Sequence, residues 1–145
     1  MTKQLAQYSV PAENSRVIRV FLSSTFRDME MERSALVKLF KGLQVKAASR
    51  GATISLVDLR WGLTEEDAKS GKVVEICLKE IVNSRPFFIG MVGDRYGWCP
   101  SYEDLSQTLN DSLEYRWIED DLDHHLSVTE IEMQFGVLRN PNPLH

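Results

Sequence analysis

The 145 residues suffice for one domain with a substantial core, and their 43% hydrophobic and 26% charged content is that of an ordinary folded chain. A net charge of −4 with no basic face argues against nucleic acid as the main partner. No apolar run approaches the ~18 residues needed to cross a membrane, and the polar stretch Met1 to Asn14 lacks a signal peptide's apolar segment. With Cys77 and Cys99 reading as reduced thiols, a cytoplasmic location is expected.

Residues 1–15 read as a flexible leader, and 16–145 as a single α/β domain. The apolar run Val17 to Leu22 predicts a central strand. The loop Ser23 to Asp28 leads into a helix over about 29–50, with Met29, Ala35, Leu36, Leu39, Phe40, Leu43 and Ala47 as its apolar stripe. Glu30, Glu32, Arg33, Lys38 and Lys41 are expected on its wetter face, and Gly51 past its end. A second strand spans Thr53 to Asp58. Beyond the Leu59-Arg60-Trp61-Gly62 loop, Thr64 with acids behind it predicts a short helix that breaks near Gly71. Val73, Ile76, Cys77, Glu80 and Ile81 mark a further helix up to Ser84.

Pro86 opens a third strand through Val92, which ends in the glycine-flanked loop Gly93 to Trp98. Residues 101–124 form an acidic insertion, opened by a capping box at Ser101 and Asp104 and packed through Tyr115, Trp117 and Ile118. Ser127-Val128-Thr129-Glu130 opens a last helix with Ile131, Phe135 and Leu138 on one face, and Asn140-Pro141 ends it. The order β-α-β-α-β-insert-α implies a three-layer α/β fold with a short parallel sheet, truncated before its last strand or strands.

Three strand-to-loop junctions hold the polar residues that a plain core does not need, and open α/β sheets bind ligands at such junctions. Arg27, at a helix N-terminus, suits a phosphate; alternatively Asp28 caps the helix and Arg27 pairs with Asp58 or Asp94. Asp94 suits a ribose hydroxyl. Trp98 either stacks on a ring or packs beneath the acidic insertion, and Arg60-Trp61 either walls a pocket or covers the sheet edge. Ser127-x-x-Glu130 is itself a capping box. The adjacent pair His124-His125 lacks metal-site spacing, so no metal is expected.

Phe21 to Met29 with Glu32-Arg33, Val57 to Gly62, Cys77-Leu78-x-Glu80-Ile81, Ser84 to Phe88, Gly93 to Trp98 and Ser127-x-Thr129-Glu130-Ile131-Glu132 together resemble a TIR-like domain of uncharacterised function. That domain lies at or near the N-terminus of STAND-type NTPases in bacteria and animals, ahead of a NACHT module and often WD repeats. The resemblance implies a TIR-like, flavodoxin-like fold and a signalling or adaptor module that acts through protein partners, either homotypic oligomers or other signalling domains, with no cofactor. The alternative it implies is an NAD glycohydrolase with NAD as substrate. Glu130 would then be the catalytic carboxylate, with Ser23, Ser24, Arg27, Asp58, Trp61, Asp94, Arg95 and Trp98 lining the ligand site. Leu126, Ser127 and Val128 fill the region where TIR enzymes often carry a tryptophan.

Overall fold

The computed structural model describes residues 16–59 and 72–139. The expected leader, the Trp61 loop with the helix after Thr64, and the Asn140-Pro141 terminator lie outside the described residues. Strand β1 (Val17–Ser23), helix α1 (Glu30–Ala48), strand β2 (Thr53–Val57), helix α2 (Val73–Ser84) and strand β3 (Phe88–Gly90) follow in chain order. Helices α3 (Tyr102–Asp111), α4 (Trp117–Asp120) and α5 (Val128–Met133) complete the order, with 3-10 turns at Leu113–Tyr115 and Leu122–His124.

The sheet order is β2-β1-β3, all parallel. Val17 to Phe21 register with Thr53 to Val57, and Phe21 to Ser23 with Phe88 to Gly90. Side chains alternate across the sheet. On one face Arg19 pairs with Glu80 of α2, Phe21 joins the core with Val74, Cys77, Leu78 and Ile131, and Ser23 meets Glu132 of α5. On the other face Leu56, in register with Val20, packs towards Val37 and Phe40 of α1. The result is the expected three-layer α/β arrangement.

Helix α1 carries Glu30 and Glu32 at its positive end and Lys46 at its negative end, which complements the dipole. Beyond it Gly51 adopts φ +67°, a left-handed turn that favours glycine. The burial of α1 corrects the sequence reading. Arg33 is only 1% exposed, whereas Leu39 is 56% exposed and Ala35 is also exposed. Leu36, Phe40, Leu43 and Ala47 of the expected stripe are buried or half-buried, and Val37 and Arg33 join them, because Arg33 reaches inward to Asp58.

Strand β3 begins at Phe88, not Pro86, because the Phe87 amide donates to the Ser84 carbonyl at 2.9 Å and closes a turn first. The capping box at Ser101 and Asp104 forms. The insertion packs through its aromatics as expected: Tyr115 meets Phe135 edge-on at 5.6 Å, and Arg139 lies 4.4 Å over the Trp117 ring. Ile131 and Phe135 are buried, but Leu138 is 69% exposed. After Met133 the backbone widens into a π-turn over Gln134–Leu138, which rotates Leu138 off the expected face. Among the described residues no helix is long and apolar enough to cross a membrane.

Candidate functional site at the carboxyl end of the sheet

Three segments converge where β1 and β3 end: the loop 24–29, the loop 91–100, and the start of α5. Beneath them lies a buried polar knot. Ser23 Oγ donates to Glu132 Oε2 at 2.5 Å, and the buried Cys77 thiol lies near the same carboxyl group. Burial pushes the Glu132 carboxyl up to about 7, and the Ser23 bond and the nearby Cys77 thiol only partly offset it. Burial, then the neighbouring Glu132, raises the Cys77 thiol well above its ordinary value, so it is a packed thiol and not a nucleophile. Arg33 Nη1 binds Asp58 at 2.7 Å, while Nη2 donates to the Ser24 and Thr25 carbonyls at 2.8 and 3.3 Å. One guanidinium thus fixes the β1 loop to the end of β2.

Asp28 ties the two surface loops together. Its Oδ1 accepts from the Met29 amide at 3.0 Å and its Oδ2 from the Arg95 amide at 3.2 Å. A Cβ on Gly93 would overlap this carboxylate, lying 2.6 Å from Asp28 Cγ, so the close approach of the loops needs glycine there. Met29, at the mouth of α1, sits at φ 60°, ψ 30°, an unfavourable conformation for a side chain of its size.

At α5 the expected capping box is half made. Ser127 Oγ accepts from the Glu130 amide at 3.1 Å, but the Glu130 carboxylate does not return to Ser127. Instead the Tyr96 hydroxyl stands between them: it donates to Glu130 Oε2 and accepts from the Ser127 amide at 3.3 Å. Burial, reinforced by the bond to Glu130, holds the Tyr96 phenol above its ordinary value, so it remains a donor at neutral pH.

Two adjoining clefts share Thr25, Arg95 and Tyr96. The smaller, about 190 Å³, is bounded by Met91, Val92, Glu130, Met133 and Leu138. The larger, about 490 Å³, is bounded by Phe26, Arg27, Gly97 and Trp98. Phe26, Tyr96 and Trp98 are 57%, 53% and 51% exposed. Trp98 therefore does not pack beneath the insertion.

Of the residues singled out from sequence, Arg27, Arg95, Trp98 and Glu130 come together around these clefts. Ser23 and Ser24 lie buried beneath the loop, and Asp58 is engaged by Arg33, not Arg27. Asp94 is exposed beside Arg95, and Trp61 lies outside the described residues. Sequence reasoning missed Glu132, Arg33 as a buried group, and the bridging Tyr96. Glu132 carried a signal, since it lies between Ile131 and Phe135 on the apolar face of its helix. Among the described residues no three His, Cys, Asp or Glu side chains form a metal-binding group.

Residues 19–134 match the family described as a domain of unknown function (DUF4062). The chain is similar to telomerase protein component 1 of Rattus norvegicus, 41% identical over 122 residues that make up 83% of this chain and 4% of that protein. It is 32% identical over 130 residues to a TPR repeat-containing protein of Dictyostelium discoideum, covering 83% of this chain and 8% of that one. Human NACHT and WD repeat domain-containing protein 2 shares 32% identity over 102 residues, 64% of this chain and 6% of its own length. The chain thus spans less than a tenth of these relatives. No solved structure matches it. With the match running from within β1 to the end of α5, across both clefts, the chain belongs to the DUF4062 family.

Proposed function

We propose that this domain is a signalling or adaptor module of a larger NACHT-type NTPase and acts by binding protein, including further copies of itself, when the parent assembles. The observation that carries this reading is how the polar groups at the sheet end are spent. Ser23 is committed to Glu132, Asp58 to Arg33, Asp28 to two backbone amides and Glu130 to Tyr96. What faces solvent is Phe26, Arg27, Arg95, Tyr96 and Trp98, and aromatics and arginine are the residue types enriched in protein interfaces and their hot spots. Relatives whose names record NACHT domains and WD repeats support the placement in such a parent. The parallel sheet with its site at the carboxyl end is what a TIR-like ancestry predicts.

A second reading rests on Glu130. Its carboxylate lines the smaller cleft together with Thr25 and Arg95, as an NAD glycohydrolase would require. A carboxylate there stabilises the oxocarbenium-like state of ribose as the nicotinamide bond breaks. Two features hold this reading second. The cleft, about 190 Å³, is smaller than the roughly 300–1,000 Å³ of ordinary ligand sites, and Tyr96 already occupies the carboxylate. NAD turnover by the protein clustered on a multivalent scaffold, beside Glu130→Gln, separates the two. The module reading expects no turnover from either sample; turnover that vanishes in Glu130→Gln would overturn it.

A further inference from the structure

Charge is divided unevenly along this chain. Residues 101–124 hold eight carboxylates and one arginine, whereas the other 121 residues hold 16 basic and 13 acidic side chains and are net positive. Within the insertion Asp121 is taken by Arg139, and Glu114 stands 4.0 Å from Arg85. Glu119, Asp120 and Asp123 are exposed and have no ion-pair partner among the described residues. At the carboxyl end of the sheet the guanidinium groups of Arg27 and Arg95 likewise lack an ion-pair partner among the described residues. They flank a cleft of about 490 Å³ whose aromatic edges, Phe26, Tyr96 and Trp98, are each more than half exposed.

We propose that copies of this chain associate head to tail, the acidic insertion of one copy docking on the Arg27–Arg95 cleft of the next. The inference rests on the protein-association reading above and names the two surfaces that meet. Arginine receives carboxylates in a forked, two-bond geometry, and flanking aromatics keep water from those bonds. The acids closest to the cleft compete little for the arginines. Asp28 gives both oxygens to backbone amides, and Glu130 takes the Tyr96 hydroxyl. Asp94 stays exposed beside Arg95 and lowers the local potential, which weakens a single contact. A contact between two unlike surfaces leaves one of each free on every growing end, so it builds rings or open filaments, not closed dimers.

The test is sedimentation velocity of the 145-residue chain over a concentration series at low and high salt, with two charge-reversed variants. Arg27→Glu with Arg95→Glu inverts the cleft; Glu119→Lys with Asp120→Lys inverts the insertion. The wild type is expected to self-associate at low salt, and each variant alone to do so at least about tenfold more weakly. An equimolar mixture of the two variants should regain association, because each supplies the surface that complements the other; this mixture also controls for misfolding. Association that persists in both variants, or a mixture that stays monomeric, overturns the head-to-tail contact while leaving other protein association standing. A wild type that remains monomeric throughout, even on a multivalent scaffold, overturns the contact and self-association together.

Discussion

Replacing Glu132 with Gln should change how the stability of this domain depends on pH. Glu132 lies in the interior between Ser23 and Cys77, and burial raises its carboxyl from 4.5 to about 7 in the folded chain. Between those two values the folded chain holds a proton that the unfolded chain has already lost. The stabilisation from that proton is complete below pH 4.5 and disappears as pH rises through about 7. At about 1.4 kcal/mol per pH unit the full effect is on the order of 3 kcal/mol, a large share of the 5–15 kcal/mol that holds an ordinary domain together. Glutamine keeps an oxygen to accept from Ser23 and carries no charge to bury. Urea unfolding of both proteins from pH 5 to pH 8 reads the difference directly. Glu132→Gln should match the wild type or fall slightly below it at pH 5, and exceed it by about 1–3 kcal/mol at pH 8. Two parallel stability curves across this window would refute the reasoning, because they would mean that Glu132 titrates alike in both states.

The Arg33–Asp58 pair is buried on both sides, so Arg33→Met removes the guanidinium from a buried carboxylate and should cost about 3–5 kcal/mol in chemical denaturation; a cost below about 1 kcal/mol would show the pair to be solvated. Gly93→Ala drives a methyl group into Asp28 and should release the Arg95 amide, visible as faster hydrogen exchange at that amide with α1 unchanged. Met29→Gly removes left-handed strain at φ 60° and should raise stability by roughly 0.5–1.5 kcal/mol; a loss would mean that the Met29 side chain contributes more packing than its conformation costs.

The strands, their parallel order and α2 were legible because each is a short apolar run or a periodic stripe bounded by turn residues. The capping box at Ser101 was legible for the same local reason. What escaped is the set of charges placed inside. Arg33 sits among acids and lysines that do face water, and nothing within a turn of it marks its partner, which lies 25 residues away. Ser23 and Glu132 are 109 residues apart. Periodicity assigns charged residues to the wet face by default, so it fails wherever a long-range partner makes burial affordable. Glu130 shows the limit in the other direction. The spacing Ser127-x-x-Glu130 announced a cap, and half of it formed, but Tyr96 from a distant loop took the carboxylate. The sequence thus gathered the candidate residues at the strand ends, but which of them are buried and which are exposed emerged only from the packing.

The central claim is that the exposed loops at the carboxyl end of the sheet bind protein. Hydrogen–deuterium exchange of the dilute chain against the chain clustered on a multivalent scaffold tests it most directly. The account predicts slowed exchange on clustering in residues 24–28 and 94–98, and in the insertion at 113–124, with the buried strands unchanged. Clustered protein that shows no protection in the 24–28 and 94–98 loops would contradict it.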